Sequence, residues 1–132
     1  MRAILDAGPL VTLWNQEGKR LAWARNIFER FSGPYYVTEP ILAEVAHLTG
    51  KDKLIVEGLR AGKFLLPQTL MDQLDDIDRC LDQFDHCDLA DASLVALSEQ
   101  YRRLSILTED RRHFVTYRRA DGSALPLELP EG

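Results

Sequence analysis

The chain has 132 residues, a formal net charge of −5, and 45% hydrophobic and 28% charged residues. This size and balance predict one soluble globular domain over residues 1–132 with a real core. They exclude a membrane-spanning helix, since no run approaches ~20 apolar residues. They also argue against gripping nucleic acid through overall charge, although not against a local basic rim.

Met1-Arg2 leads directly into Ala3-Ile4-Leu5, which Asp6 interrupts. That start does not read as a signal peptide, and a cytoplasmic location is expected. A first strand is predicted over residues 2–5. A short helix follows across Leu10, Val11, Leu13 and Trp14, then a second with Leu21, Ala24, Phe28 and Phe31 on one face. Gly33-Pro34 stops that helix, and Tyr35-Tyr36-Val37 forms a short strand. Thr38 is expected to cap a helix through Leu48, with Pro40 in its first turn and Gly50 ending it. Another helix runs to about residue 61, and Phe64-Leu65-Leu66 makes a strand stopped by Pro67.

Leu70, Leu74, Ile77, Leu81 and Phe84 recur at steps of four and three, which predicts one buried stripe on a helix of about four turns. Its outer face carries Asp72, Asp75, Asp76, Asp78 and Asp82, a solvated acidic face. Cys80 and Cys87 lack zinc-site spacing and read as reduced, buried or half-buried thiols. Residues 88–103 are apolar nearly all round, so a central buried helix is expected. Ser105-Ile106-Leu107-Thr108 is a further strand, residues 112–117 a helical turn, and residues 125–129 an edge strand, since Pro126 cannot donate to a ladder. Short apolar runs alternating with helical patterns predict an α/β fold with a parallel sheet.

Carboxylates punctuate this pattern. Asp6 ends the first strand, and Asp110 lies two residues past Thr108. Asp88 and Asp91 open the buried helix, and Glu44, within Ile41-Leu42-Ala43-Glu44-Val45, three residues after Ile41 and four before Leu48, is expected to project from the apolar face of its helix. Acids beyond the carboxyl ends of parallel strands sit where such sheets place their sites. Each has a plainer explanation. Asp6 and Asp88 make good helix caps, Asp91 suits a helix first turn, Asp110 suits a loop, and Glu44 can snorkel or pair with an arginine. Two carboxylates ~5 Å apart repel by roughly 3 kcal/mol at an effective dielectric of ~20. Several such pairs would unbalance a domain whose stability is only ~5–15 kcal/mol. A cluster must therefore be protonated, spread apart, or neutralised by a cation. All-oxygen donors suit Mg²⁺ or Mn²⁺.

The ordered set Ile4-Leu5-Asp6-Ala7-Gly8-Pro9-Leu10, Glu39-Pro40-Ile41-Leu42-Ala43-Glu44-Val45, Asp88-Leu89-Ala90-Asp91-Ala92-Ser93 and Ile106-Leu107-Thr108-Glu109-Asp110-Arg111-Arg112-His113-Phe114 resembles a PIN domain. It is most similar to the VapC toxins of type II toxin–antitoxin systems. The resemblance implies an α/β/α sandwich around a parallel sheet. It also implies Mg²⁺- or Mn²⁺-dependent endoribonuclease activity on RNA, a cognate antitoxin and a homodimer. Asp6, Glu44, Asp91 and Asp110 match the family's acidic quartet, Thr108 a supporting hydroxyl, and Asp88 an added ligand or a water-holding acid. The acidic net charge departs from the basic surface common in that family.

Phosphate contacts are expected from Arg111, Arg112, Arg118 and Arg119, with Arg102, Arg103 and Lys19-Arg20 as further candidates. His113 is expected in packing or on the surface, and Trp14, Trp23 and Phe114 in the core or an interface. A catalytically inactive PIN-like adaptor is the alternative, although the complete quartet argues against it. A receiver domain is disfavoured, because no acidic pair surrounds the end of the first strand and no late strand ends in lysine.

Overall fold

Ala3-Ile4-Leu5 is wholly apolar and buried, as a strand covered on both faces must be. In the computed structural model, which describes residues 1–131, this run forms strand β1 (Ala3–Leu5) at the centre of a five-stranded parallel sheet. Strands β2 (Tyr35–Tyr36), β3 (Phe64–Leu65), β4 (Ile106–Leu107) and β5 (Leu127–Glu128) complete it in the order β3-β2-β1-β4-β5. The register sets Ile4 against Tyr36 on one side and against Ile106 on the other.

Helices α1 (Ala7–Asn15) and α2 (Leu21–Arg30) connect β1 to β2, and α3 (Glu39–Thr49) and α4 (Asp52–Arg60) connect β2 to β3. The chain then reverses direction across the sheet. A 3₁₀ turn at Met71–Gln73, α5 (Leu74–Gln83) and α6 (Leu89–Gln100) lead to β4, and α7 (Arg111–Phe114) leads to β5. With right-handed crossovers, that reversal puts the first four helices on one face and the later ones on the other. The result is the expected α/β/α sandwich. It also makes the gap between β1 and β4 a topological switch point, where such sheets open a crevice beyond their strand ends.

Two local expectations change. Thr38 does stand at the N-cap position of α3, but its hydroxyl bonds Ser93 Oγ at 2.7 Å and makes no bond to its own helix. The stripe on α5 is rotated. Leu74 is 51% and Leu81 44% exposed, and the buried positions are Gln73, Ile77 and Cys80. Gln73 Nε2 donates to Gln68 Oε1 at 3.0 Å and to the Ser93 carbonyl at 3.1 Å, which offsets the burial of its amide nitrogen, while its Oε1 is buried without a partner among the described residues. At Gly58 an added Cβ would come within 2.5 Å of the Phe64 ring, so glycine is what lets α4 lie against β3. Cys80 is buried and Cys87 half-buried, both free, as expected. No helix of the described residues is long and apolar enough to cross a membrane.

Candidate active site

The end of β1 delivers Asp6, and the end of β4 delivers Thr108 and then Asp110, side by side at the switch point. Asp6 is 8% exposed. One of its oxygens accepts from the Ala7 N–H at 2.8 Å, capping α1, and the other accepts from Thr108 Oγ1 at 2.6 Å. Thr108 Oγ1 in turn accepts the Asp110 N–H at 3.1 Å, so one hydroxyl ties two acids into a fixed relation. Burial pushes the Asp6 pKa up to about 7, against the opposing hydrogen bonds and with added repulsion from Asp91 and Glu44.

Helix α6 begins at its cap, Asp88, whose carboxylate accepts the Asp91 N–H at 2.8 Å. Asp91, one turn in, accepts from the Tyr117 hydroxyl at 2.6 Å. Burial raises the Asp91 pKa to about 6. The Tyr117 bond opposes that shift, while Asp88 and Asp110 add to it. Asp110 caps α7. It accepts the His113 N–H at 3.0 Å and holds His113 Nδ1 at 2.9 Å. His113 therefore lines the cleft, half-buried, paired to an acid and packed beside the His86 ring.

Glu44 differs most from its sequence reading. The buried face of α3 is Ile41, Leu42 and Val45, and Glu44 is exposed at the cleft rim. Lost solvation and then Asp88 raise its pKa.

Asp6, Glu44, Asp88, Asp91 and Asp110 line one open cleft of about 510 Å³, together with Glu109, His86, His113 and Arg20. The sequence argument required this convergence of four chain segments. The cleft is roomier than a finished coordination cage. Among the described residues, no three His, Cys, Asp or Glu side chains stand close enough to hold an ion as they are. The donor set nevertheless fits a hard divalent cation. It is all carboxylate oxygen, and Asp6 and Asp91 carry pKa values lifted towards neutrality by burial first and then by neighbouring acids, Asp91 and Glu44 for Asp6 and Asp88 and Asp110 for Asp91, a cost an ion would relieve.

Three contributors escaped the sequence reading. Tyr117 holds Asp91, and its only sequence sign is the i,i+3 spacing from Phe114, which it packs against. Glu109 accepts from Thr12 Oγ1 at 2.7 Å, and a Cβ at Gly8 would sit 3.3 Å from its side chain. Glycine at position 8 thus lets α1 start close to the β4 end. His86 lies with its ring 5.4 Å from that of His113, and nothing in the sequence connects the two.

The expected phosphate contacts mostly fall elsewhere. Arg119 is 6% exposed and donates to Ser98 Oγ at 2.8 Å and to the Arg102 carbonyl at 2.7 Å, a structural role. Arg111 donates to the Pro130 carbonyl, and Arg118 to the Val115 and Tyr117 carbonyls. Arg102 pairs with Glu99 and Asp121. Among the expected arginines, Arg20 is the one that lines the acidic cleft, its Nη1 donating to the Glu109 carbonyl at 2.7 Å. Phe114 is buried and Trp14 and Trp23 are half-buried, as expected.

No family model matches this sequence. No curated protein matches it either. Among solved structures, a chain of a toxin–antitoxin complex from Klebsiella pneumoniae aligns over 86% of this chain and 91% of its own, with a TM-score of 0.66 and 19% sequence identity. The two share a fold. At that identity the likeness concerns architecture, and the chemistry has to be argued from the cleft.

Proposed function

We propose that this chain is a metal-dependent endoribonuclease of the PIN type, acting as the toxin of a toxin–antitoxin pair. The observation that carries this reading is the acidic cleft at the β1/β4 switch point, where Asp6, Glu44, Asp91 and Asp110 share one volume with Asp88. Two of the acids have pKa values of about 7 and about 6, so they are prepared to exchange a proton for a cation near neutral pH. The fold shared with a chain of a toxin–antitoxin complex supports the biological setting, an antitoxin partner included.

In this scheme Asp6, Asp91 and Asp110 hold Mg²⁺ or Mn²⁺, and Glu44, at the rim, completes the charge or orients the attacking water. Such an ion, when bound, lowers the pKa of water and offsets charge on the phosphoryl oxygens. The chain's own groups set the stage for that chemistry. Thr108 and the Ala7 N–H fix the Asp6 carboxylate, Tyr117 fixes Asp91, and His113 fixes Asp110. Leu5, Ala92 and Leu107, each next in sequence to Asp6, Asp91 or Thr108, are buried in the core, which anchors these site residues. The products are two RNA fragments.

The test is cleavage of RNA by the purified protein with Mg²⁺ or Mn²⁺, with EDTA, and with Asp6→Asn. Metal-dependent cleavage lost in the variant is the expected result. Cleavage that survives EDTA would sink the scheme, and RNA binding without cleavage would favour the adaptor.

A further inference from the structure

A second cleft adjoins the acidic one. It has a volume of about 610 Å³ and is lined by Lys19, Arg20, Trp23 and Asn26 from α2 and the residues just before it, and by Glu128 and Glu131 from the segment at β5. Arg20 lines both clefts, so the two are neighbours that share this side chain. Trp23 and Asn26 lie three residues apart on α2 and so share a face. Trp23 is half-buried against the core, which fixes its indole while leaving part of it in the cleft.

We propose that this second cleft is a single-stranded RNA subsite, in which Trp23 stacks an unpaired base and Lys19 and Arg20 take the phosphates leading towards the acids. The order of charges specifies the arrangement. Arg30 is paired with Glu128 at 3.2 Å, so Lys19 and Arg20 supply the cationic wall. Phosphates avoid Glu128 and Glu131 and run along the Lys19–Arg20 side. That leaves the indole for a base and Asn26 for a base edge. Unpaired RNA uses this combination of an aromatic face beside a short cationic track. An acidic peptide would use the cations but has no need of the indole. With a net charge of −5, the chain can attract a polyanion only through such local features.

This inference rests on the nuclease reading for where the strand leads, but not for binding itself. The test therefore measures binding without cleavage, using the Asp6→Asn protein in EDTA with a ten-nucleotide unstructured RNA. The chain has two tryptophans, Trp14 and Trp23. RNA should quench the emission, and Trp23→Phe should remove that quenching and weaken binding by about fivefold. Lys19 is exposed, so Lys19→Ala should leave the fold intact while reducing the magnitude of the log–log salt slope by about 0.7. Affinity, quenching and salt slope all unchanged in both variants would overturn the subsite, as would absence of RNA binding. Quenching by a polyglutamate peptide but not by RNA would overturn it too, in favour of a protein occupant. Wild-type cleavage is scored separately. A protein that cleaves but ignores both substitutions loses only this inference, whereas one that binds through Trp23 without cleaving loses only the nuclease.

Discussion

Thr108 Oγ1 donates to Asp6 Oδ2 at 2.6 Å, joining residues 102 positions apart at the ends of neighbouring strands. The same oxygen accepts the Asp110 N–H. Thr108→Val keeps the shape and removes both bonds. Thermal unfolding should show a loss of about 1–3 kcal/mol from the buried carboxylate that loses its donor. Mg²⁺ affinity, followed by titration, should fall about tenfold. Thr108→Ser should recover most of both, and full metal affinity in the valine variant would refute the link.

The acids make stability depend on pH in a direction opposite to that of salt-bridged carboxylates. Asp6 has an ordinary pKa of 3.8 and a folded value of about 7. The folded state therefore holds the extra proton between those values. The stabilisation is complete below about pH 4 and is lost as pH rises through 7. The full swing is about 4 kcal/mol at 1.36 kcal/mol per pKa unit. Asp91, at about 6, acts with the same sign. Without metal, the midpoint of thermal unfolding should fall from pH 5 to pH 8. Mn²⁺ or Mg²⁺ should restore it more at pH 8 than at pH 5, because the cation binds the ionised forms. A flat metal-free profile would contradict the burial of Asp6.

Tyr117 is buried between Phe84 and Phe114 and spends its hydroxyl on Asp91. Tyr117→Phe preserves the ring packing. It should leave the folded structure intact by circular dichroism while RNA cleavage drops about tenfold.

Glu44 and Arg119 form a contrasting pair. Glu44 is exposed, so Glu44→Gln should change stability by less than about 0.5 kcal/mol. Under the proposed scheme it should still reduce cleavage about 100-fold. Arg119 is buried on Ser98 and the Arg102 carbonyl, so Arg119→Ala should cost about 2 kcal/mol of stability. The affinity of the folded Arg119→Ala protein for RNA should match wild type in a binding titration.

The sequence carried the strand ends well. The apolar run Ala3-Ile4-Leu5 ends directly at Asp6, and Ile106-Leu107 is followed within three residues by Asp110, so both acids read as lying beyond strand ends. Thr108 was legible for the same reason. The α5 stripe was not. Its spacing fitted one helix, but the 3₁₀ turn at Met71–Gln73 shifts the phase, and a glutamine whose Nε2 donates to the Ser93 carbonyl takes a core position that no hydrophobic pattern assigns. Glu44 misled because its apolar neighbours suggest burial, whereas a helix buries only one side. The arginines after Asp110 misled because adjacency along the chain says nothing about which carbonyls a tight turn leaves in need of donors.

Because β1 is flanked by β4, the strand at Ala3–Leu5 waits during synthesis for a neighbour made about a hundred residues later, at Ile106–Leu107. A nascent chain that stops short of Ile106 has neither the neighbour that buries Asp6 nor the hydroxyl that orients it. Premature termination should thus yield fragments without the acidic crevice, and whatever chemistry that crevice performs would be withheld until synthesis has passed Thr108.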